Sequence, residues 1–323
     1  MKKPFFKISI LLVTAMVMLA GCGGKEEKSK QINIGYFNNV THAQALYMKA
    51  EKSLENAFGT EKEVTWTAFN AGPAEVEALF AEDIDIGYIG PVPAINANVK
   101  SDGDVVILSG ASKGGAVFIT RKDAKISSVA DLAGKNVAIP QIGNTQHLCL
   151  LNLLNENGLK PVTEGGDVTI SAISNADVAN TMERGDIDAA LVPEPWGATL
   201  LGNGAELLLD YDAVMGGDYD VALIVVRKEF LEENPDVVEK FLEQHAMATE
   251  AIQTNSDTAL AIINQELEKA TGKKLEESII QEAFTRIGVS TELNKNAIAE
   301  FAQIGVEQKF ISDLPKEGSL YAE

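Results

Sequence analysis

Between residues 32 and 227 short apolar strands alternate with amphipathic helices, and that alternation constrains the fold more than any other feature of the chain. Strand candidates at 32–36, 64–69, 84–89 and 105–111 are separated by helix candidates at 42–57, 73–81 and 91–100. A second series follows, with strands at 117–121, 136–140, 168–172, 189–192 and 222–227 and helices at 128–132, 144–157, 176–184 and 195–201. A strand-then-helix rhythm predicts an α/β protein with parallel sheets and right-handed crossovers. Beyond Arg227 the pattern is helical to about residue 307.

One internal echo divides the chain. Ala116-Val117-Phe118-Ile119-Thr120-Arg121-Lys122-Asp123 resembles Ala222-Leu223-Ile224-Val225-Val226-Arg227-Lys228-Glu229, each an apolar strand ending in Arg-Lys-acid. Two copies so far apart do not make a solenoid. They suit two passages of the chain between lobes. The expected layout is a first lobe from 32–118 plus 221–323 and a second lobe from 119–220.

The N-terminus carries an address. Lys2, Lys3 and Lys7 precede an apolar run from Ile8 to Ala20, the layout of a secretory signal peptide over 1–21. The run is shorter than the roughly 20 apolar residues that span a bilayer. Leu19-Ala20-Gly21-Cys22 resembles a bacterial lipobox, which implies a diacylglycerol on Cys22 and export to the outer face of the cell membrane. Residues 22–31 are polar and read as a flexible tether. No later segment is long and apolar enough to cross a membrane.

The net charge is −20, and loss of the three lysines of 1–21, which hold no acid, takes it to −23. That balance excludes nucleic acid as a partner, because nucleic-acid binding needs basic patches. Cys22 and Cys149 are the only cysteines. With Cys22 lipidated, Cys149 has no intramolecular partner, and its run Leu148-Cys149-Leu150-Leu151 makes it a buried small hydrophobe.

In open α/β sheets ligands bind beyond the C-terminal strand ends, where helices begin. Helix N-termini offer N–H groups and a partial positive charge to an anion. Asn39, Thr41 and His42 follow the first strand, with Thr41 a good N-cap. Gly72 precedes Pro73, and Gly90 precedes Pro91, both fitting tight strand-to-helix turns. Lys113 and Gly114 precede the first passage between lobes. The second series repeats the design with Asn144, Thr145 and Gln146, then Asn175, then Glu194 and Trp196. These fourteen residues are the candidate ligand-binding set. Lys113 is the only Lys or Arg among them, so an anion would rest on backbone N–H groups and hydroxyls.

These loops resemble those of the substrate-binding proteins of ABC importers for sulfonates, nitrate and taurine. The matching segments are 35–43, 69–75, 85–91, Asp131-Leu132-Ala133-Gly134-Lys135 with Val137-Ala138-Ile139-Pro140, Gly143-Asn144-Thr145-Gln146, and Val192-Pro193-Glu194-Pro195-Trp196-Gly197. The resemblance implies a type II periplasmic-binding fold: two α/β lobes, two crossovers, a central ligand cleft and hinge closure. It implies capture of a small, anionic ligand and its delivery to a permease with its ATPase. A monomer without enzymatic activity or cofactor is expected. Tyr36, Tyr88 and Trp196 could pack an organic part of the ligand, whereas Trp66 reads as core. Three alternatives stay open. A thiamine-precursor pyrimidine or other heterocycle suits the shortage of basic residues. A pyrimidine-synthase-like enzyme shares the fold. His42, His147 and Glu194 could converge on Zn²⁺, whose ligands are of these types, though they lack motif spacing.

Overall fold

The computed structural model describes residues 30–322. The signal peptide expected over 1–21 and Cys22 lie outside the described residues, as does most of the tether expected over 22–31; Gln31 already opens a strand. In chain order the strands are β1 (Gln31–Phe37), β2 (Glu63–Phe69), β3 (Ile86–Ile89), β4 (Val105–Gly114), β5 (Ala116–Thr120) and β6 (Asn136–Ile139). They continue with β7 (Thr169–Ala172), β8 (Ala189–Pro193), β9 (Glu206–Leu209), β10 (Asp220–Arg227) and β11 (Ile287–Val289). They form a six-stranded sheet, β11-β4-β10-β3-β1-β2, and a five-stranded sheet, β7-β6-β8-β5-β9.

Each sheet holds a parallel trio, β2-β1-β3 and β7-β6-β8. The expected parallel sheets are these trios, and the sequence pattern did not show the antiparallel strands beside them. There β10 lies antiparallel to β3 and β4, and β5 antiparallel to β8 and β9. The reason is geometric. Trio strands run toward the cleft, so a strand arriving from the other lobe must run away from it. The two echoed segments are these two arriving strands.

Their shared Arg-Lys-acid ending has a structural use. Arg227 Nη2 donates to Asp85 Oδ1 at 2.8 Å, and Arg121 Nη2 to Asp188 Oδ1 at 2.9 Å. The second oxygen of each aspartate accepts the backbone N–H of Asn33 or Asn136, at 2.9 Å in both lobes. One clasp, used twice, ties the far end of the arriving strand to the start of the trio. Asp83-Ile84-Asp85 and Asp186-Ile187-Asp188 are its sequence trace.

The first passage between lobes falls at Gly114 and Gly115, with φ of +70° and +75°, a region that favours glycine. A Cβ on Gly115 would stand 2.8 Å from Ile287 Cγ1. The whole of β5 pairs in the second sheet, Ala116 opposite Pro193 and Phe118 opposite Leu191. The expected first boundary at 118/119 therefore moves back to Gly115. The return is nearer its expected place, since Asp220 already pairs in the first sheet.

Both lobes bury apolar side chains on both sheet faces, as trios flanked by helices must. Ile34 and Ile224 on one face and Leu223 and Val225 on the other are buried in the first lobe, and Val117, Ile139, Leu191 and Val192 in the second. Each such side chain contributes about 1.5–3 kcal/mol. Cys149 is buried in the core, as expected. Tyr36 and Tyr88 are also core residues and do not face the cleft. Tyr36 packs edge-on against Trp66, and the Tyr88 hydroxyl meets His245 Nδ1 at 2.9 Å. The helix expected over 228–254 is two, Lys228–Glu233 and Pro235–Thr254, because the residue before a proline disfavours helical backbone. No helix among the described residues is long and apolar enough to cross a membrane.

Candidate functional site

Four helices begin at the interlobe cleft. Gly72–Phe80 and Pro91–Lys100 come from the first lobe, Thr145–Glu156 and Asn175–Glu183 from the second. Each follows a trio strand, which is why the loops of both lobes meet there. They line a small cavity of about 20 Å³ where the lobes meet. The lobes touch across it. Asn70 Nδ2 donates to Pro140 O at 3.2 Å, and Val40 N to Glu194 O at 3.2 Å. Gly90 has no Cβ, and one placed there would stand 2.5 Å from Thr145 Oγ1 on the opposite lobe.

Of the fourteen expected residues, the cavity wall holds Asn39, Thr41, His42, Gly72, Gly90, Asn144, Thr145, Gln146 and Asn175. Phe37, Asn70, Pro93, Pro140, Pro193 and Val221 join them without having been in the expected set. They lie within or beside the same loops, so a wider window around each strand end would have found most of them.

The wall contains no Lys, Arg, Asp or Glu. Its polar side chains share a bias. Asn39 Oδ1 accepts from Thr41 N at 3.1 Å and from Thr41 Oγ1 at 2.5 Å. His42 Nδ1 accepts from Phe37 N at 3.2 Å, which leaves Nε2–H as its donor. Burial lowers the His42 pKa to about 3, so the ring is neutral. Asn144 Oδ1 caps its helix by accepting His147 N at 2.9 Å, and its Nδ2 donates to Gln146 Oε1 at 3.0 Å. The amide groups of Asn39 and Gln146, the His42 Nε2–H and the Thr145 hydroxyl remain to donate. Thr145 Oγ1 is buried without a protein partner. The inner wall is thus neutral, donor-rich and faced by helix N-termini. Together these give an anion hydrogen bonds and a favourable potential without a formal positive charge.

Five expected residues lie elsewhere. Pro91 is buried as the first residue of its helix. Lys113 Nζ pairs with Asp218 Oδ1 at 2.7 Å. Gly114 lies against Arg286 O and the Tyr211 ring. Trp196 lines a neighbouring cavity of about 380 Å³ together with Asn38 and Phe69. Glu194 is fully buried in a charged cluster between the lobes and not in the cavity wall. Its Oε2 accepts Ala198 N at 2.8 Å, and Oε1 meets Arg286 Nη1 at 3.2 Å. Arg286 also reaches Asp210 at 3.0 Å and Glu282 at 2.8 Å. Because Glu194 and Asp210 belong to the second lobe, this one guanidinium links the two lobes. Burial raises the Glu194 pKa to about 7, against the pull of Ala198 N–H and Arg286. Nothing in the sequence near Glu194 indicated Arg286, since the two are 92 residues apart.

The alternative in which His42, His147 and Glu194 converge on Zn²⁺ finds no such group among the described residues. His147 Nδ1 accepts from Gly143 N at 3.2 Å and its ring packs against Phe310, while burial lowers its pKa to about 4. Among the described residues no three His, Cys, Asp or Glu side chains form a metal-binding group.

Comparison with known proteins places the chain. The model of the NMT1-like family matches residues 25–265. A taurine-binding periplasmic protein of Escherichia coli (strain K12) is 32% identical over 228 residues, 69% of each chain. A putative aliphatic sulfonates-binding protein of Bacillus subtilis (strain 168) is 28% identical over 242 residues, 72% of this chain and 70% of that one. Among solved structures, the alkanesulfonate-binding protein SsuA from Xanthomonas axonopodis pv. citri bound to MOPS aligns with a TM-score of 0.75 at 21% identity. The alignment covers 91% of this chain and 99% of that one, and shows the common fold.

Proposed function

The chain belongs to the NMT1-like family, and from that premise we propose that it is the extracytoplasmic substrate-binding component of an ABC importer, capturing a small sulfonate or related oxoanion. Delivery to a permease and its ATPase, and a monomeric working form, are part of the same reading. The observation that carries it is the wall of the cavity. Asn39, His42 and Asn144 commit acceptors to the protein's own N–H groups, and four helix N-termini face inward. One such terminus contributes about 0.3–1 kcal/mol when exposed and up to ~2 kcal/mol when partly buried. Four of them, with a few charge-assisted hydrogen bonds at about 1.5–3 kcal/mol each, suffice for the roughly 8 kcal/mol of micromolar binding. The role proposed is binding and release, not turnover.

The lack of any charged side chain in the wall also favours a second reading, a neutral heterocycle such as a pyrimidine. Calorimetry of the purified protein against methanesulfonate, taurine, nitrate and a hydroxymethylpyrimidine separates the two. Binding of an oxoanion supports the first; tight binding of the pyrimidine alone refutes it.

Attachment through a lipid on Cys22 belongs to this proposal as well. A captor tethered near its permease meets it at high effective concentration. Cys22→Ala should release the protein from the membrane fraction into the medium or periplasm. Retention of that variant would refute the lipid anchor.

A further inference from the structure

Glu194 is anchored on every side. Its backbone N–H donates to Gly115 O at 2.8 Å, and its backbone carbonyl accepts Val40 N at 3.2 Å. Its Oε2 accepts Ala198 N at 2.8 Å, and its Oε1 accepts from Arg286 Nη1 at 3.2 Å. Gly197 leaves room for this, since a Cβ there would stand 2.1 Å from Val117 Cγ2 and 3.2 Å from Glu194 Oε1. Val40 sits inside the turn that brings Asn39, Thr41 and His42 to the cavity wall. The same turn is held from the first lobe, where Ser112 Oγ donates to Thr41 O.

Arg286 is the other end of the chain of contacts. It immediately precedes β11, which pairs with β4 in the first sheet. Asp210 at 3.0 Å and Glu282 at 2.8 Å hold the rest of its guanidinium, which fixes its aim at Glu194. A buried ion pair adds little net stability over an apolar pair of the same volume, and its best-attested use is to fix register. The register at stake here is that of the second-lobe loop at Glu194 against the first-lobe turn at Val40. An apolar contact would let the two slide. We infer that Arg286 is a positioning residue for the ligand: through Glu194 it sets the turn carrying Asn39, Thr41 and His42 against the second lobe. It lies outside the cavity wall and touches no ligand itself. This rests on the binding reading above and goes beyond it by placing a determinant of affinity outside the cavity.

The test compares the parent with Arg286→Lys and with the double variant Glu194→Gln/Arg286→Gln, which removes both charges and strands neither. A thermal melt confirms that each is folded. Hydrogen exchange read by mass spectrometry needs no ligand. In the double variant the peptide covering 38–43 should exchange about tenfold faster, with the peptides of β1 and β3 unchanged. Calorimetry with methanesulfonate should show affinity weakened about threefold to tenfold, the worth of one hydrogen bond. Arg286→Lys keeps the charge and should recover part of both losses. Parent-like exchange at 38–43 in the double variant would overturn the inference. So would faster exchange with parent-like affinity, or a lower melt with faster exchange throughout both lobes and affinity unchanged, the pattern of a merely structural pair. If methanesulfonate fails to bind even the parent, the oxoanion reading falls, and exchange at 38–43 alone decides for or against the positioning role.

Discussion

Removing the Thr145 hydroxyl should weaken ligand binding without weakening the fold. Thr145 is the first residue of its helix, 4% exposed, with Oγ1 buried and free of any protein partner. In the ligand-free protein that oxygen is a liability, because an unpaired buried hydroxyl costs about 1–3 kcal/mol. Thr145→Val keeps shape and β-branching and deletes only the polar atom. Its ligand-free stability should be unchanged or higher by about 1 kcal/mol, a Tm rise of about 2 °C or less for a chain of this size. In the bound protein the hydroxyl donates to a charged acceptor, worth about 1.5–3 kcal/mol. The dissociation constant for methanesulfonate should therefore rise about ten- to 150-fold. Thr145→Ser, which retains the donor, should bind within a few-fold of the parent. Calorimetric titration and a thermal melt of the same preparations read both effects. An affinity within twofold of the parent would refute the reasoning. So would a joint fall of affinity and Tm, which would make the hydroxyl structural.

Other expectations follow from the same geometry. In Gly90→Ala the new methyl would lie 2.5 Å from Thr145 Oγ1; the lobes cannot close fully, so affinity should fall at least tenfold with the melt nearly unchanged, and parent-like affinity would contradict closure at that contact. Arg286→Leu leaves the buried Glu194 without its cation, and breaking a buried pair costs about 3–5 kcal/mol. Because the Glu194 pKa is raised to about 7, urea unfolding should show the larger loss at pH 8, where Glu194 is charged, and the smaller at pH 5.5; equal losses would refute this role. Glu75 is fully buried with both oxygens unpartnered, and burial raises its pKa well above the usual carboxylate value. A raised folded-state pKa means that the folded state holds its proton where the unfolded state has lost it, so Glu75 lowers stability as pH climbs above about 4.5. Glu75→Gln stays neutral, and its Tm should fall less between pH 5 and 8 than the parent's; parallel curves would refute this.

Much of the site was legible because strand-end loops are local. Asn39, His42, Thr145 and Gln146 could be found by locating the strand, stepping past its last residue and looking for a cap. Asn144 shows why this works, since its side chain bonds the backbone N–H three residues on. Glu194 and Lys113 show where it stops. Both lie in loops of the right kind, but Arg286 and Asp218 engage their charges. Those partners come from 92 and 105 residues away. Trp196 is an intermediate case: the right loop, but the neighbouring cavity. Tyr36 and Tyr88 failed for another reason. Strand residues alternate faces, and nothing local says which face meets the cleft end and which meets the core.

The strand-helix rhythm, the echo ending in Arg121 and Arg227, and the Asn144 cap were determined by the sequence alone; the cap expected at Thr41 is instead Asn39, whose side chain accepts Thr41 N. Each depends on periodicity or on contacts a few residues apart. Tertiary structure alone decided that the two echoed strands run antiparallel to their neighbours, that β5 belongs wholly to the second sheet, and that Arg286 links the two lobes. It also decided which end of each side chain is free in the cleft. His42 and Asn39 become donors only because the folded backbone takes up their acceptors. That choice depends on positions in space that no local pattern encodes.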